Sequence, residues 1–308
     1  MRKICVIGSI NMDMVIETEY PPVMGETVHG KNFKTVPGGK GANQAIAAAK
    51  LGSDVSFIGA VGDDMFGGQM TENLKNSGVG ISGIEKSGTS GIAMIIVAGG
   101  DNTIVLESGA NKTVNRAMID RHIDLIRECD IAVMQLEIPA DTVLYAMKTA
   151  KKLGKTVLLN PAPVAPFMPE MLEYTDIFVV NEHEAAAVLK KDIKSVEDAH
   201  EACRMLMSRS DAQIIITLGG LGCVYNIGRK TVHQSAFDVS VVDTTGAGDS
   251  FIGAFCAEKE HLGVKGAIEY ASAVSALTVS RKGASVSIPN RDEAESFLKE
   301  LQSAQKLS

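Results

Sequence analysis

The sequence predicts a three-layer α/β/α fold with a mostly parallel central sheet, on three observations. Short β-branched runs alternate with amphipathic helical patterns along most of the 308 residues, the rhythm of repeated strand–helix–strand units. The runs are apolar throughout rather than alternating, as in strands covered on both faces. No proline- or serine-rich linker, internal repeat or low-complexity tract divides the chain, so a single domain over residues 1–308 is expected.

The elements follow in order. Lys3–Ile10, Val55–Ala60, Ile131–Leu136, Thr156–Asn160, Ile177–Val180 and Ile214–Leu218 read as buried strands. Between them, Ala42–Leu51, Phe66–Ser77, Asn115–Arg127, Thr142–Leu153, Glu184–Leu189 and Val196–Ser208 read as helices. The final third reads as three helices, Ala247–Lys259, Val264–Ser280 and Arg291–Gln302, the first two rich in small residues that permit close packing. Residues 14–36 and about 81–108 break the rhythm. They alternate like strands and carry turn signals such as Gly99-Gly100-Asp101-Asn102. Too short for a core of their own, they suit a small sheet projecting from the main domain.

Composition narrows the function. With 45% hydrophobic and 22% charged residues, the chain is not disordered in bulk. The 37 acidic against 30 basic residues give a net charge of −7; that field repels phosphate backbones and anionic lipid, so neither nucleic acid nor a membrane is expected as partner. Any anion must bind at a local site. The five cysteines are scattered without a C-x-x-C pair, which indicates reduced thiols rather than a disulfide framework or a zinc site. Asn11 and Asp13 interrupt the first apolar run, and no later stretch approaches the ~20 apolar residues of a spanning helix; a soluble, cytoplasmic protein is expected.

Four segments carry candidate chemistry. Asp243-Thr244-Thr245-Gly246-Ala247-Gly248-Asp249 precedes a strong helix pattern; glycines at a helix start turn backbone N–H groups toward an anion, and Asp249 beside that anion could take a proton from an attacking hydroxyl. Pro37-Gly38-Gly39-Lys40-Gly41-Ala42-Asn43-Gln44 also enters a helix, with Lys40 and Asn43 as donors suited to hydroxyls. Gly8-Ser9-Ile10-Asn11-Met12-Asp13 ends the first strand, and alternation places Asn11 and Asp13 on one side, at the strand edge where ligands of open α/β sheets bind. Asn181 and Glu184, three apart at another strand exit, could face phosphate oxygens and a hydrated Mg²⁺; Glu137 stands at a further strand exit. Taken singly, each segment also fits an ordinary capped helix or polar turn. Neither a G-x-x-x-x-G-K-[ST] loop nor a G-x-G-x-x-G fingerprint after the first strand occurs.

Together, in this order, the segments resemble the ribokinase (PfkB) family of carbohydrate kinases, from Gly8 to about Pro289. Gly38–Asn43 looks like the family's N-terminal motif, Asp243–Asp249 like its C-terminal one, and Gly8–Asp13 and Met134–Glu137 like its sugar-site segments. The resemblance implies ATP-dependent phosphorylation of D-ribose at the 5-hydroxyl. Asp249 would be the general base, the amides of Gly246, Ala247, Gly248 and Asp249 the anion hole, and Asn11, Asp13, Gly39, Lys40, Asn43 and Glu137 the sugar grip. Asn181, Glu184, Thr217, Gly219, Gly248 and Ser272 would contact ATP, with Glu184 holding Mg²⁺ through water. The Ser280–Ser287 segment resembles the family's monovalent-cation loop, which implies K⁺ among Asp243, Thr245, Thr278, Arg281, Gly283 and Ser287. The projecting strands would be a lid, and pairing of two lids implies a homodimer. A sibling kinase for deoxyribose, fructose or a nucleoside is the alternative within the class. A non-catalytic sugar-binding regulator is the alternative outside it, although Asp249 and the glycines before it are present.

Overall fold

The computed structural model describes residues 1–99, 101–164 and 166–305. The strands, in chain order, are β1 (Lys3–Ile7), β2 (Asn11–Glu17), β3 (Lys31–Gly38), β4 (Asp54–Val61), β5 (Val79–Lys86), β6 (Gly91–Ala98), β7 (Asp101–Glu107), β8 (Ile131–Met134), β9 (Thr156–Leu159), β10 (Ile177–Asn181), β11 (Gln213–Thr217), β12 (Cys223–Ile227) and β13 (Lys230–Gln234). The α-helices are α1 (Lys40–Lys50), α2 (Met65–Asn76), α3 (Arg116–Arg121), α4 (Ile123–Glu128), α5 (Ala140–Lys152), α6 (Glu182–Leu189), α7 (Val196–Met207), α8 (Ala247–Val279, broken at Gly263) and α9 (Arg291–Gln305).

Nine strands form the large sheet in the order β13-β12-β11-β10-β9-β8-β1-β4-β5. All its pairings are parallel except β11–β12 and β12–β13, which are antiparallel at one edge. Both faces are covered, and the strand sequences show it. In β1, Ile4 and Val6 enter the core packed by α1 and α8, while Cys5 and Ile7 enter the core packed by α5 and α7. Ile177 and Val179 divide from Phe178 and Val180 in the same way along β10. A strand whose alternate residues feed two apolar cores has no polar face to show, which is why the runs are apolar throughout. Fully burying a side chain such as Phe57 or Phe178 stabilises by roughly 1.5–3 kcal/mol.

The small sheet has four strands in the order β3-β2-β6-β7, with β2–β6 parallel and the other pairs antiparallel. Its strand segments depart from the sequence expectation in two ways. The segment from Val79 to Lys86 pairs with β4 at the edge of the large sheet, so the small sheet begins only at Gly91 in that half. In the other half it reaches further, from Asn11 to Gly38: the first strand stops at Ile7, and Asn11 and Asp13 open a strand of the second sheet. The expected helix Asn115–Arg127 is broken at His122, and a β12–β13 hairpin occupies a stretch to which the sequence pattern assigns no element. Gly100 of the expected Gly99–Asn102 turn, and residues 306–308 of the expected domain, lie outside the described residues. Among the described residues no helix is long and apolar enough to cross a membrane.

From β1 the chain leads on to β4 on one side, and from β8 to β9 on the other. Where the direction of winding reverses, two strands end beside each other with nothing crossing above them, and a crevice forms at their carboxyl ends. Ser9 and Glu137 stand there.

Candidate active site

The crevice is closed by hydrogen bonds from three separate elements onto one carboxylate. Glu137 Oε2 accepts from Ser9 Oγ at 2.5 Å, the Lys40 backbone N–H at 3.2 Å and Asn11 Nδ2 at 3.4 Å. Gly39 makes the α1 approach possible. It caps the helix at φ +95°, a conformation that L side chains rarely adopt, and a Cβ there would lie 2.8 Å from the Asn11 nitrogen. Asn11 is 3% exposed, and its Oδ1 accepts from Asn111 Nδ2 at 2.7 Å. Asn111 also bonds the N–H and C=O of Ile10, at 2.9 and 3.0 Å, fixing the link where the chain leaves one sheet for the other. Asp13 lies along the same face of β2 as Asn11. Burial first, and then repulsion from Glu137 and Asp249, push its carboxyl up to about 7.

Asp249 sits in the first turn of α8, whose N-cap Gly246 adopts φ +78°. Its two oxygens accept from Asn43 Nδ2 at 3.2 Å and Gln44 Nε2 at 3.0 Å. The helix N-terminus adds positive potential to these donors. Asn43 is 5% exposed, and its Oδ1 is buried without a hydrogen-bond partner: an orphan acceptor beside the carboxylate, suited to a ligand hydroxyl. Of the expected anion-hole amides, Ala247 N–H already spans 3.3 Å to the Thr244 carbonyl, while those of Gly248 and Asp249 have no backbone acceptor among the described residues.

A cleft lined by Asp249 adjoins a second, larger one. The nearer, of about 220 Å³, is lined by Lys40, Asn160, Asn181, Glu184, Gly246, Gly248 and Asp249. The farther, of about 430 Å³, is lined by Gly219, Phe251, Ser272 and the irregular segment Ala236–Val241, and both include Thr217, Thr244, Ala247 and Gly248. Lys40 therefore serves two neighbours, its backbone holding Glu137 and its side chain lining the nearer cleft. Burial alone would lower its pKa; Asp249, Glu137 and Glu184 around it more than compensate and raise it. Asn181 and Glu184 form a reciprocal cap at the start of α6, with Asn181 N–H to Glu184 Oε2 at 3.0 Å and Glu184 N–H to Asn181 Oδ1 at 2.8 Å. The ordinary helix cap is thus real, yet it engages only Oε2 and leaves the other oxygen for the cleft. Burial is the main cause that raises the Glu184 carboxyl. Ser272 lines the farther cleft.

Asp243 joins two loops. It accepts from Thr245 N–H and Oγ1 at 3.0 and 2.7 Å, and from Gly283 N–H at 3.0 Å. Burial opposes its charged form, but these bonds together hold the carboxyl below its usual range. Thr278 and Ser287 are buried, their hydroxyls donating to the Val274 and Ala284 carbonyls at 2.8 and 2.7 Å. The Thr278 carbonyl accepts Arg281 N–H at 3.3 Å, and the Arg281 side chain turns away to Glu293. The structure thus brings Asp243, Thr245 and Gly283 together directly, with Thr278 at the end of α8 and Arg281 and Ser287 on the loop that follows it. All five cysteines are buried and free.

Sequence reasoning misses Ser9, Gln44, Asn111, Gln135 and Asn160 as site residues. Gln44 stands inside the Pro37–Gln44 segment, and Asn160 and Gln135 stand at strand exits, so position relative to the sheet is the signal that could have found them. For Asn111 no such signal exists. Segment 236–241, which walls the farther cleft, has no motif either.

The comparisons agree with this geometry. The sequence matches the pfkB family of carbohydrate kinases over residues 1–300. It is 42% identical to the ribokinase of Schizosaccharomyces pombe, across 94% of this chain and 96% of that protein. It is 37% identical to the deoxyribokinase of Salmonella typhi, across 96% of this chain and 98% of that one. The solved structure of Arabidopsis thaliana ribokinase complexed with ribose and ATP superposes with a TM-score of 0.90 at 32% identity, covering 97% of this chain and 99% of that one. A crevice at the sheet's reversal point, a carboxylate in the first turn of a glycine-led helix and a match along nearly the whole length lead to one conclusion: the chain is a sugar kinase of the pfkB family.

Proposed function

We propose that the protein transfers the γ-phosphoryl group of ATP to the 5-hydroxyl of D-ribose, with Asp249 as general base. The observation that carries this reading is the position of Asp249. It lies between the polar side chains at the strand exits and a cleft leading to a second, larger one, with both oxygens facing amide donors. Ribose would lie against Asn11, Asp13, Gly39, Lys40, Asn43 and Glu137, with a sugar hydroxyl donating to the orphan Asn43 Oδ1. Asp249 takes the proton of the 5-hydroxyl as its oxygen bonds to the γ-phosphorus; the bond from that phosphorus to the bridging oxygen breaks, and ADP leaves. Charge gathering on the phosphoryl oxygens meets the amides of Gly246, Ala247, Gly248 and Asp249, and little covalent work falls to the protein. The adenosine part fits the larger cleft, against Thr217, Gly219 and Ser272.

Two cations suit the donor sets. Among the described residues no group of three or more His, Cys, Asp or Glu forms a metal cage, which suits Mg²⁺ arriving with ATP and held by Glu184 through water, beside Asn181. When bound, Mg²⁺ neutralises phosphate charge. Asp243, Thr245, Thr278, Arg281, Gly283 and Ser287 offer oxygens only, from one carboxylate, hydroxyls and carbonyls, a set suited to a hard monovalent ion such as K⁺. K⁺ would hold the two loops joined by Asp243 and so organise the helix start.

The small sheet is read as a lid through which two copies pair. Cross-strand partners put Ile104 and Leu106 on the face of Asp13, and Met94 and Val105 on the opposite face; all four apolar residues are exposed. One face suits covering the sugar, the other a second copy. The buried free thiols favour a reducing, cytoplasmic setting.

Similarity to ribokinases, and to one with ribose and ATP bound, favours ribose; the deoxyribokinase relative makes 2-deoxyribose the specific rival. Turnover of ribose, 2-deoxyribose, fructose and adenosine with Mg·ATP, in K⁺ and in Na⁺, decides between them. Ribose is expected to show the highest kcat/KM, with faster turnover in K⁺. A preference for 2-deoxyribose would overturn the substrate, and equal turnover in Na⁺ would overturn the K⁺ assignment.

A further inference from the structure

We propose that Gln44 and Asn160 are positioning residues that join Asp249 and Glu184 into one hydrogen-bonded unit, so that the base and the phosphate-side acid are set together. The inference rests on the reading of Asp249 as general base. Gln44 is 1% exposed, and every bond it makes points one way. Its Oε1 accepts from Gln135 Nε2 at 2.6 Å; its Nε2 donates to Asp249 Oδ1 at 3.0 Å and to Asn160 Oδ1 at 3.2 Å. Asn160, 6% exposed, donates through Nδ2 to the Val179 carbonyl at 3.0 Å and to Glu184 Oε2 at 3.5 Å.

The chain has a direction. Reversing the Gln44 amide would set its oxygen against two acceptors and its NH₂ group against a donor. Asn160 is fixed likewise, because its NH₂ group is held by a strand carbonyl. Buried amides with a single satisfied orientation do not rotate to suit a ligand, and they hold what they touch. Gln44 therefore presents a fixed donor to Oδ1, while Oδ2 accepts from Asn43. Gln44 also keeps a neutral group against Asp249 where another carboxylate would compete with it for charge. Among the described residues, Asp249 interacts through charge with Lys40 from α1, Asp13 from β2 and Glu184 from α6, and Glu137 after β8 bears on Lys40 and Asp13 in turn. Lys40 is the single cation in that set.

The test is the kcat–pH profile of Gln44→Glu, with Gln44→Met as the neutral variant of similar length. A carboxylate at 44 shares a site with Asp249, so one group of the pair titrates higher. The acid limb of kcat is expected to move up by about one pH unit or more. Gln44→Met should lower kcat by about tenfold, with the sugar KM changing far less. If Gln44→Glu does not fold, the Met variant and Asn160→Ala carry the test. Their kcat losses are expected to be non-additive in the double variant, as for members of one network. An unmoved acid limb, or losses that multiply independently, would overturn the proposal. Asp249→Asn, assayed alongside, separates this from failure of the parent reading: wild-type kcat in that variant would remove the base itself, whatever Gln44 does.

Discussion

The proposed sugar side and the proposed nucleotide side of the site are built by opposite means. On the sugar side the contacts come from side chains that are buried and already bonded: Asn11, Asn43 and Gln44 are at most 5% exposed, and Glu137 accepts from three elements at once. On the nucleotide side they come from backbone and small residues of an open loop and the helix start that follows it, where Thr245 and Gly248 are exposed and Val241 and Val242 stand 64% and 51% exposed. Glycine shows the contrast most sharply. A Cβ at Gly39 meets the Asn11 nitrogen at 2.8 Å, whereas a Cβ at Gly248 meets nothing within 4 Å. Side chains fixed before the sugar arrives discriminate among hydroxyl patterns, since a missing hydroxyl leaves buried groups unpaired. Backbone amides read only the charge and shape common to nucleoside triphosphates.

Substitutions that attack this contrast should differ in what they damage. The largest effect is expected from Gly39→Ala, which combines a disfavoured positive φ with a backbone clash. Displacing the start of α1 should lower kcat/KM for the sugar by about 100-fold and also lower the melting temperature; unchanged kinetics would mean that the sugar side is not rigid. Glu137→Gln comes next. Loss of a charged acceptor serving three donors should raise the sugar KM by about 10-fold or more and leave the ATP KM nearly unchanged, as initial rates at varied sugar will reveal. Gly248→Ala reverses the pattern. The position is open and helical, so melting should not fall, while a methyl group in the proposed phosphate cleft should raise the ATP KM several-fold; a lowered melting temperature would contradict the open setting of this helix start.

The smallest expected effect is a pH dependence of stability. The folded Asp13 carboxyl, at about 7, lies above the ordinary 3.8. The stability associated with its proton is complete below the unfolded value and is lost as pH rises through about 7. Asp13→Asn should therefore gain stability relative to wild type at pH 8 compared with pH 4, a difference of a few degrees in melting temperature at most. No such divergence in parallel melting curves would show that Asp13 is better solvated than its setting implies.

Much of this contrast is legible in the amino-acid sequence, though unevenly. The nucleotide side announces itself because amides can be aimed at an anion only by a short run of glycines at a helix start, and Gly246-Ala247-Gly248-Asp249 is such a run. The large sheet is legible because strands serving two cores must be apolar at every buried position, as Ile4–Ile7 of β1 and Ile177–Val180 of β10 are. The sugar side is half visible. Asn11, Asn43 and Glu137 stand in recognisable segments, but Gln44 meets Gln135 and Asn160 across 91 and 116 residues of chain, and single polar residues at that separation leave no periodic trace. The division between the sheets is misplaced by the sequence pattern for a related reason: Val79–Lys86 and Gly91–Ala98 both form strands, and only pairing assigns one to each sheet.

The two sides meet at Asp249, and the most direct measurement is the steady-state kinetics of Asp249→Asn with ribose and Mg·ATP. Asparagine keeps the shape and loses the proton acceptor. The account predicts that kcat falls by about 10² or more while both KM values stay within a few-fold of wild type. An unchanged kcat would contradict it.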